Sequence, residues 1–184
     1  MTDKPTPKRP RAQKIDLIER IAKLVQNLTI IFGVFAGVFA LLISQHDKRV
    51  QNVLTFRTEF TTTVRPDYLT LISDWNSFPE TDKILSATHD EQKQIVSDFF
   101  AKEENEKHFL SVADFFNTLS ACIEHGACDR NSVIYLFQDT ATAVFEMAGY
   151  YIEAKRKEDQ DPTFARGLEN IYRLNSEFFL FSYV

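Results

Sequence analysis

The chain has 184 residues, which is enough for one ordinary domain and an additional segment but not for two large domains. Seventeen residues are phenylalanine, only five are glycine and six are proline, and this composition favours long helices over a turn-rich β-protein. Residues 45–184 carry fourteen basic and twenty-three acidic side chains. Because a domain with this charge balance repels phosphate backbones, the composition argues against nucleic acid as a partner.

The N-terminal residues are basic and are interrupted by proline. Residues 1–23 hold seven Lys or Arg and three acidic side chains. Residues 1–12 contain three prolines, and we predict that they form a disordered tail. Such a tail either lies along anionic lipid headgroups or acts only as a signal for membrane orientation.

An uncharged segment follows inside a long predicted helix, residues 13–64. Residues 24–44 comprise 21 residues without a charged side chain, and at about 1.5 Å per residue they match a hydrocarbon layer of roughly 30 Å. They predict a single transmembrane helix, with the lipid bilayer as its partner. A cleavable signal peptide is the alternative interpretation. However, the apolar run at residues 28–43 exceeds a usual signal core, and no small-residue cleavage motif follows it.

Small residues lie along one face of this predicted span. Gly33 and Gly37 are about one helical turn apart, and Ala36 and Ala40 lie beside them. Because small residues allow two backbones to approach closely in lipid, this face predicts self-association into a homo-oligomer. Glycine and alanine are also frequent in membrane helices for reasons of composition alone. A pore built from this face needs polar side chains in the span, which the sequence lacks.

The charges that flank the span predict its direction. Seven basic residues precede it, whereas Lys48, Arg49 and Arg57 follow it closely. The excess of positive charge before the span favours a cytoplasmic N-terminus. The remaining domain then lies on the other side of the cell (inner) membrane.

Residues 65–184 predict a small antiparallel helical bundle, so the whole chain is expected to be all-α. Helical periodicity of apolar residues continues throughout, and no alternation typical of strands competes with it. The predicted helix boundaries are Pro66 at the start of a short helix, the capping-box pair Thr88 and Glu91, Gly126 at a helix end, a cap within residues 129–132, and Asp161-Pro162 at the start of the last helix.

One short segment contains soft metal ligands, namely Cys122, His125 and Cys128. A structural zinc site needs four ligands, and no second pair with finger-like spacing exists, so we predict no metal site. We also predict no cofactor and no catalytic residue. A disulfide between the cysteines is an alternative that requires an oxidising compartment. The interpretation that we favour places Cys122 in the core as a small residue and Cys128 in a turn.

Other polar residues have structural interpretations. Asn117 follows two phenylalanines on a helix that buries apolar groups, and we expect its amide to bond to a neighbouring helix and so to fix register. His46, His89 and His108 lie among charged residues near predicted helix ends, and we expect them to be solvated.

Several segments resemble a known family. They are RPDYLTLISDW, FFNTLSACIEHGACDRNSVIYLF, GYYIEAKR and DPTFARGLENIYRL. They resemble DUF4760, a bacterial family of membrane-anchored helical proteins known only as a domain of unknown function. The resemblance covers residues 49–174 and implies no catalytic residues, and its pattern has an acidic residue where this chain has residues 118–120. It also implies a cytoplasmic domain, opposite to the orientation that the charges predict.

Together these observations predict a single-pass membrane protein with an interaction, sensing or scaffold role and a protein partner. The competing hypothesis is a membrane-tethered enzyme with a cryptic site near Cys122, His125 and Cys128.

Overall fold

The computed structural model describes the backbone of residues 10–181 and the side chains of residues 23, 26, 28–30 and 32–174. Within residues 10–181 every regular element is helical, so the all-α prediction is confirmed. The predicted basic tail lies outside the described residues over residues 1–9. The elements are α1 (Pro10–Glu59), a π-helical turn (Phe60–Val64), α2 (Arg65–Ser77), a 3-10 turn (Thr81–Lys83), α3 (His89–Phe100), α4 (Glu103–Glu124), α5 (Arg130–Glu158) and α6 (Arg166–Phe181).

The described residues fall into two units that divide within α1, between His46 and Asp47. The first unit is the N-terminal part of α1 and contains the uncharged segment. The second unit contains the end of α1 and the bundle formed by α2 to α6.

The π-helical turn precedes Pro66 and explains how the backbone passes this proline. The N–H of Arg65 bonds to the carbonyl of Phe60, five residues earlier. Proline has no N–H, and its ring clashes with the carbonyl four residues before it in an α-helix. A wider turn relieves that clash. Pro66 lies in the first turn of α2, as the sequence predicts, and the chain remains helical from the π-helical turn into this helix.

Three predicted helix boundaries are confirmed by their hydrogen bonds. Thr88 caps α3, and its backbone N–H donates to the carboxylate of Glu91 at 2.7 Å in a capping box. Gly126 follows the end of α4 with φ of +66°, a conformation that side chains with a Cβ rarely adopt. Asp129 caps α5 by accepting the N–H of Ser132 at 2.8 Å.

The predicted start of the last helix is wrong. The carboxylate of Asp161 accepts both the N–H and the hydroxyl of Thr163, at 2.8 and 2.6 Å, and so closes a local turn. Ala165 then adopts φ of +52°, and α6 begins only at Arg166. Asp161 therefore forms an Asx turn and not a helix N-cap. The sequence does not distinguish the two, because both use a carboxylate that accepts a nearby backbone N–H.

Aromatic side chains of α4 form the centre of the bundle. Phe115 contacts Phe60 of the π-helical turn at a ring distance of 5.2 Å and Phe137 of α5 at 5.5 Å. Phe109 contacts Phe100 of α3 at 5.4 Å. The apolar stripe at the end of α1 packs on this core, with Val53 fully buried.

An ion-pair network joins α5 to α6. Arg156 donates to the carbonyl of Phe164 at 2.9 Å and to Glu169 at 2.8 Å, and Arg173 also donates to Glu169 at 2.8 Å. Burial on its own raises the pKa of Glu169, but the bonds from the two arginines outweigh burial and hold this pKa below its usual range.

A close backbone approach joins α4 to α6 at Gly167. Asn117 accepts the backbone N–H of Gly167 at 2.8 Å, as expected for an amide that fixes register. A Cβ on Gly167 would lie 2.4 Å from Cα of Asn117 and 2.6 Å from the carbonyl oxygen of Phe116. Because both atoms belong to the backbone, only glycine allows this separation of the helices.

Gly167→Ala is predicted to destabilise the bundle. The added methyl group forces α4 and α6 apart, and we expect the free energy of unfolding to fall by about 2–3 kcal/mol in urea titrations of the detergent-solubilised chain. Gly149→Ala in α5 is the matched control, because its Cβ meets no atom within 4 Å. The control should gain about 0.5–1 kcal/mol. Equal effects at the two glycines would contradict the close approach.

Glu169→Gln is predicted to weaken the bundle in a pH-dependent way. The lowered pKa of Glu169 stabilises the fold above the unfolded pKa, and this contribution disappears as pH falls through the folded pKa. We expect a loss of about 1–3 kcal/mol at pH 7. The difference from the unmodified chain should shrink as unfolding is measured towards pH 3. A constant difference across this range would contradict the assignment.

Candidate functional site

The two cysteines are joined in a disulfide, so the interpretation of Cys122 and Cys128 as separate thiols is wrong. Cys122 lies half-buried in the last helical turn of α4, and Cys128 is buried in the loop before α5. Gly126 turns the chain back, and the N–H groups of Ala127 and Cys128 both bond to the carbonyl of Cys122, at 2.9 and 3.1 Å. These bonds bring the two cysteine Cα atoms to 5.2 Å.

The disulfide bears directly on the zinc hypothesis. Zinc binds thiolates, and neither sulfur is a thiolate while the bond is intact. His125, the third candidate ligand, is exposed at the end of α4. Across the part of the chain that the structure describes, no group of three or more His, Cys, Asp or Glu is arranged to hold a metal ion. Cys122, His125 and Cys128 are thus close together, but they form a loop closed by a disulfide and not a set of metal ligands.

The disulfide loop, defined here as residues 122–129, also contacts the end of α1. The side-chain amide of Asn52 donates to the carbonyl of Ala127 at 2.7 Å, and the N–H of Asp129 donates to the carbonyl of Arg49 at 3.4 Å. Asn52 is not among the residues that the sequence pattern predicts to be functional, because the pattern of this stretch is defined by its apolar positions. The sequence feature that could have indicated this contact is the carboxamide of Asn52 next to the apolar Val53, which is buried.

Asp67, His108 and Ser111 form a polar cluster between α2 and α4. Nδ1 of His108 lies 2.8 Å from Oδ1 of Asp67, and the expectation that His108 is solvated is therefore wrong. The hydrogen bond from Ser111 and then the contact with His108 hold the pKa of Asp67 below its usual range. In a hydrolytic triad the imidazole stands between serine and aspartate. Here serine and histidine both bond to the carboxylate, so the arrangement joins helices instead of activating a nucleophile.

An open groove of about 330 Å³ lies between α3 and α5. Its wall includes Tyr150 and Tyr151, together with charged residues of both signs. Burial, followed by the hydrogen bond that Tyr151 donates to Glu106 at 2.6 Å, raises the pKa of Tyr151. The phenol therefore stays protonated at physiological pH and is a poor base. Lys157 on the rim is paired with Glu153 at 2.8 Å.

The uncharged segment of α1 is exposed. One described helix is long and apolar enough to cross a membrane, and its most apolar window has a mean hydropathy of 2.2 with none of that window buried. Gly33 and Gly37 have no atom within 4 Å of an added Cβ, and Ala36 and Ala40 are exposed as well. All four belong to the first unit, whereas the disulfide loop belongs to the second.

Replacing both cysteines by serine is predicted to destabilise the bundle by about 2 kcal/mol. The bond closes a short loop and so removes only modest entropy from the unfolded chain. His125→Ala is the matched control, because an exposed histidine outside a metal site should change stability by less than about 0.5 kcal/mol. Urea unfolding under non-reducing conditions measures both. An equally large loss with His125→Ala would instead favour a shared metal site.

The comparisons with known proteins identify a family but no characterised relative. No curated protein and no solved structure matches the chain at a significant level. The model of the family described as Domain of unknown function (DUF4760) matches residues 27–174, which include the apolar segment, the disulfide loop and most of the bundle. The chain therefore belongs to the DUF4760 family.

Proposed function

We propose that this protein is a single-pass membrane-anchored interaction module that self-associates through its span. The N-terminal part of α1 serves as the anchor, and the helical bundle serves as the domain that meets other proteins. Its role is to hold or sense a protein partner at the membrane, without chemistry of its own.

The exposed apolar part of α1 carries this proposal. A window with a mean hydropathy of 2.2 that is entirely unburied needs an apolar environment that the described part of the chain does not supply. The polar clusters of the described bundle, by contrast, are engaged in joining helices. Asp67 joins α2 to α4, and Asn117 joins α4 to α6. These contacts support a domain built to present a surface.

We place the N-terminus in the cytoplasm and the bundle on the opposite side. Two independent observations support this orientation. The seven basic residues before the span agree with the rule that positive charge stays inside. The Cys122–Cys128 disulfide is typical of a domain that resides in an oxidising compartment. A cytoplasmic bundle, which the family resemblance implies, would expose this bond to the reducing thiols of the cytosol.

The small-residue face supports self-association. At about 100° per residue, Gly33, Gly37, Ala36 and Ala40 fall within a stripe about 100° wide. Among the residues that the structure describes, none fills the space beside the two glycines. In lipid, close backbone packing of such a stripe supplies the attraction that the hydrophobic effect provides in water.

Gly33→Leu combined with Gly37→Leu is predicted to weaken association of the span. Two bulky side chains hold the backbones apart, so we expect the association constant in lipid vesicles to fall by about tenfold, as measured by energy transfer between labelled chains. Val34→Leu combined with Val38→Leu is the matched control, because these positions lie about 100° around the helix. The control should change the constant by less than about twofold. Equal losses for both pairs would contradict the glycine face.

A thiol-accessibility experiment tests the orientation. Cys128→Ser leaves one half-buried thiol at Cys122. A membrane-impermeant maleimide added to whole cells should label this variant but not the unmodified chain, in which both sulfurs are bonded. Labelling that appears only after the cells are opened would place the bundle in the cytoplasm.

Chemical crosslinking in intact membranes tests for partners. A monomer with no co-purifying protein would contradict the interaction role.

A further inference from the structure

We infer that the Cys122–Cys128 disulfide is a redox-controlled clamp on the segment of α1 that connects the span to the bundle. In the oxidised state the disulfide loop holds Arg49 and Asn52 of this segment. Reduction of the bond releases the loop and loosens the attachment of the segment. The clamp depends on neither the orientation in the membrane nor self-association.

The position of the loop provides the first argument. In sequence, Arg49 and Asn52 follow the uncharged segment directly, before the aromatic contacts of the helix begin at Phe56. The loop that contacts them is the connection between α4 and α5, with Ala127 and Asp129 as the bonding residues. The contact therefore lies at the N-terminal end of the second unit, ahead of the first aromatic contact of α1 with the bundle.

The geometry of the loop provides the second argument. The carbonyl of Ala127 accepts from Asn52 at 2.7 Å, while the N–H of Ala127 bonds back to Cys122 at 2.9 Å. One peptide segment thus links the disulfide to α1. Gly126 holds a positive φ, and the three residues from 125 to 127 are all exposed, so few packing contacts replace the bond once it is broken. The loop conformation is set by the covalent link and these hydrogen bonds.

The access of the two sulfurs provides the third argument. Cys122 is half-buried and within reach of a reductant, whereas Cys128 is only 4 % exposed. A thiolate of a protein dithiol attacks Sγ of Cys122, the S–S bond breaks, and Cys128 leaves as a thiolate that takes a proton. The second thiol of the reductant then resolves the mixed disulfide, so that Cys122 becomes a thiol and the reductant becomes a disulfide. Two electrons pass from the reductant to the clamp.

Hydrogen exchange of the full chain in detergent tests the clamp. Peptides that cover residues 45–58 and 120–132 are compared in the oxidised protein and after treatment with dithiothreitol, which reduces the bond in the folded chain. We expect exchange in the loop to rise at least tenfold and exchange in the α1 segment to rise at least threefold. Mass measurement with and without alkylation reports whether the bond was present and whether it was reduced.

The Asn52→Ala variant distinguishes a disulfide that holds the α1 segment from one that orders only its own loop. In the oxidised protein this variant should accelerate exchange in the α1 segment while the loop stays protected. In the reduced protein the same substitution should add nothing, because the contact is already lost. Asn131→Ala is the matched control, since this exposed asparagine lies in the first turn of α5 and not on the clamp. It should leave the α1 segment unchanged in both states.

Each other outcome overturns the clamp. A bond that is absent, or that resists millimolar dithiothreitol in the folded chain, contradicts redox control. If hydrogen exchange becomes faster only in the loop, the disulfide orders the loop alone and does not hold α1. An effect of Asn52→Ala that is equal in both redox states shows that Asn52 acts independently of the disulfide. A double serine variant that fails to fold does not affect these results, because reduction is carried out on the folded protein.

Discussion

The bundle depends on the burial of one aromatic face of α4. Phe109 and Phe115 on this face contact rings from α3, α5 and the π-helical turn. Each fully buried phenylalanine contributes about 1.5–3 kcal/mol, which is a large fraction of the net stability of about 5–15 kcal/mol that is typical of a domain. Because the rings fix where the neighbouring elements lie, the polar contacts between those elements depend on this packing.

Several polar contacts of the second unit refine that packing by joining two elements. Asn117 sets the register of α4 against α6 through Gly167, and Asp67 joins α2 to α4 through His108. The disulfide loop adds the link from α4 and α5 to α1.

The fold was predictable wherever a local rule decided it. The capping box at Thr88 and the cap at Asp129 depend on residues three apart, and such short-range chemistry is visible in the sequence. The same rule failed at Asp161, because its side chain satisfies a turn as well as a helix N-terminus. The rule for proline held at Pro66, which lies in the first turn of α2, and the π-helical turn before it keeps the backbone helical despite the missing N–H.

The sequence by itself determined that α1 carries an apolar segment long enough to span a membrane, since hydrophobicity and length are additive along a chain. It also determined that the remainder is helical. Only the tertiary structure decided that Cys122 bonds to Cys128, and that Asn52 reaches Ala127 across 75 positions of sequence. Periodicity gives the direction of a side chain but not its distance from a partner on another element. That distance is set by packing, and so the candidate clamp became visible only in the folded chain.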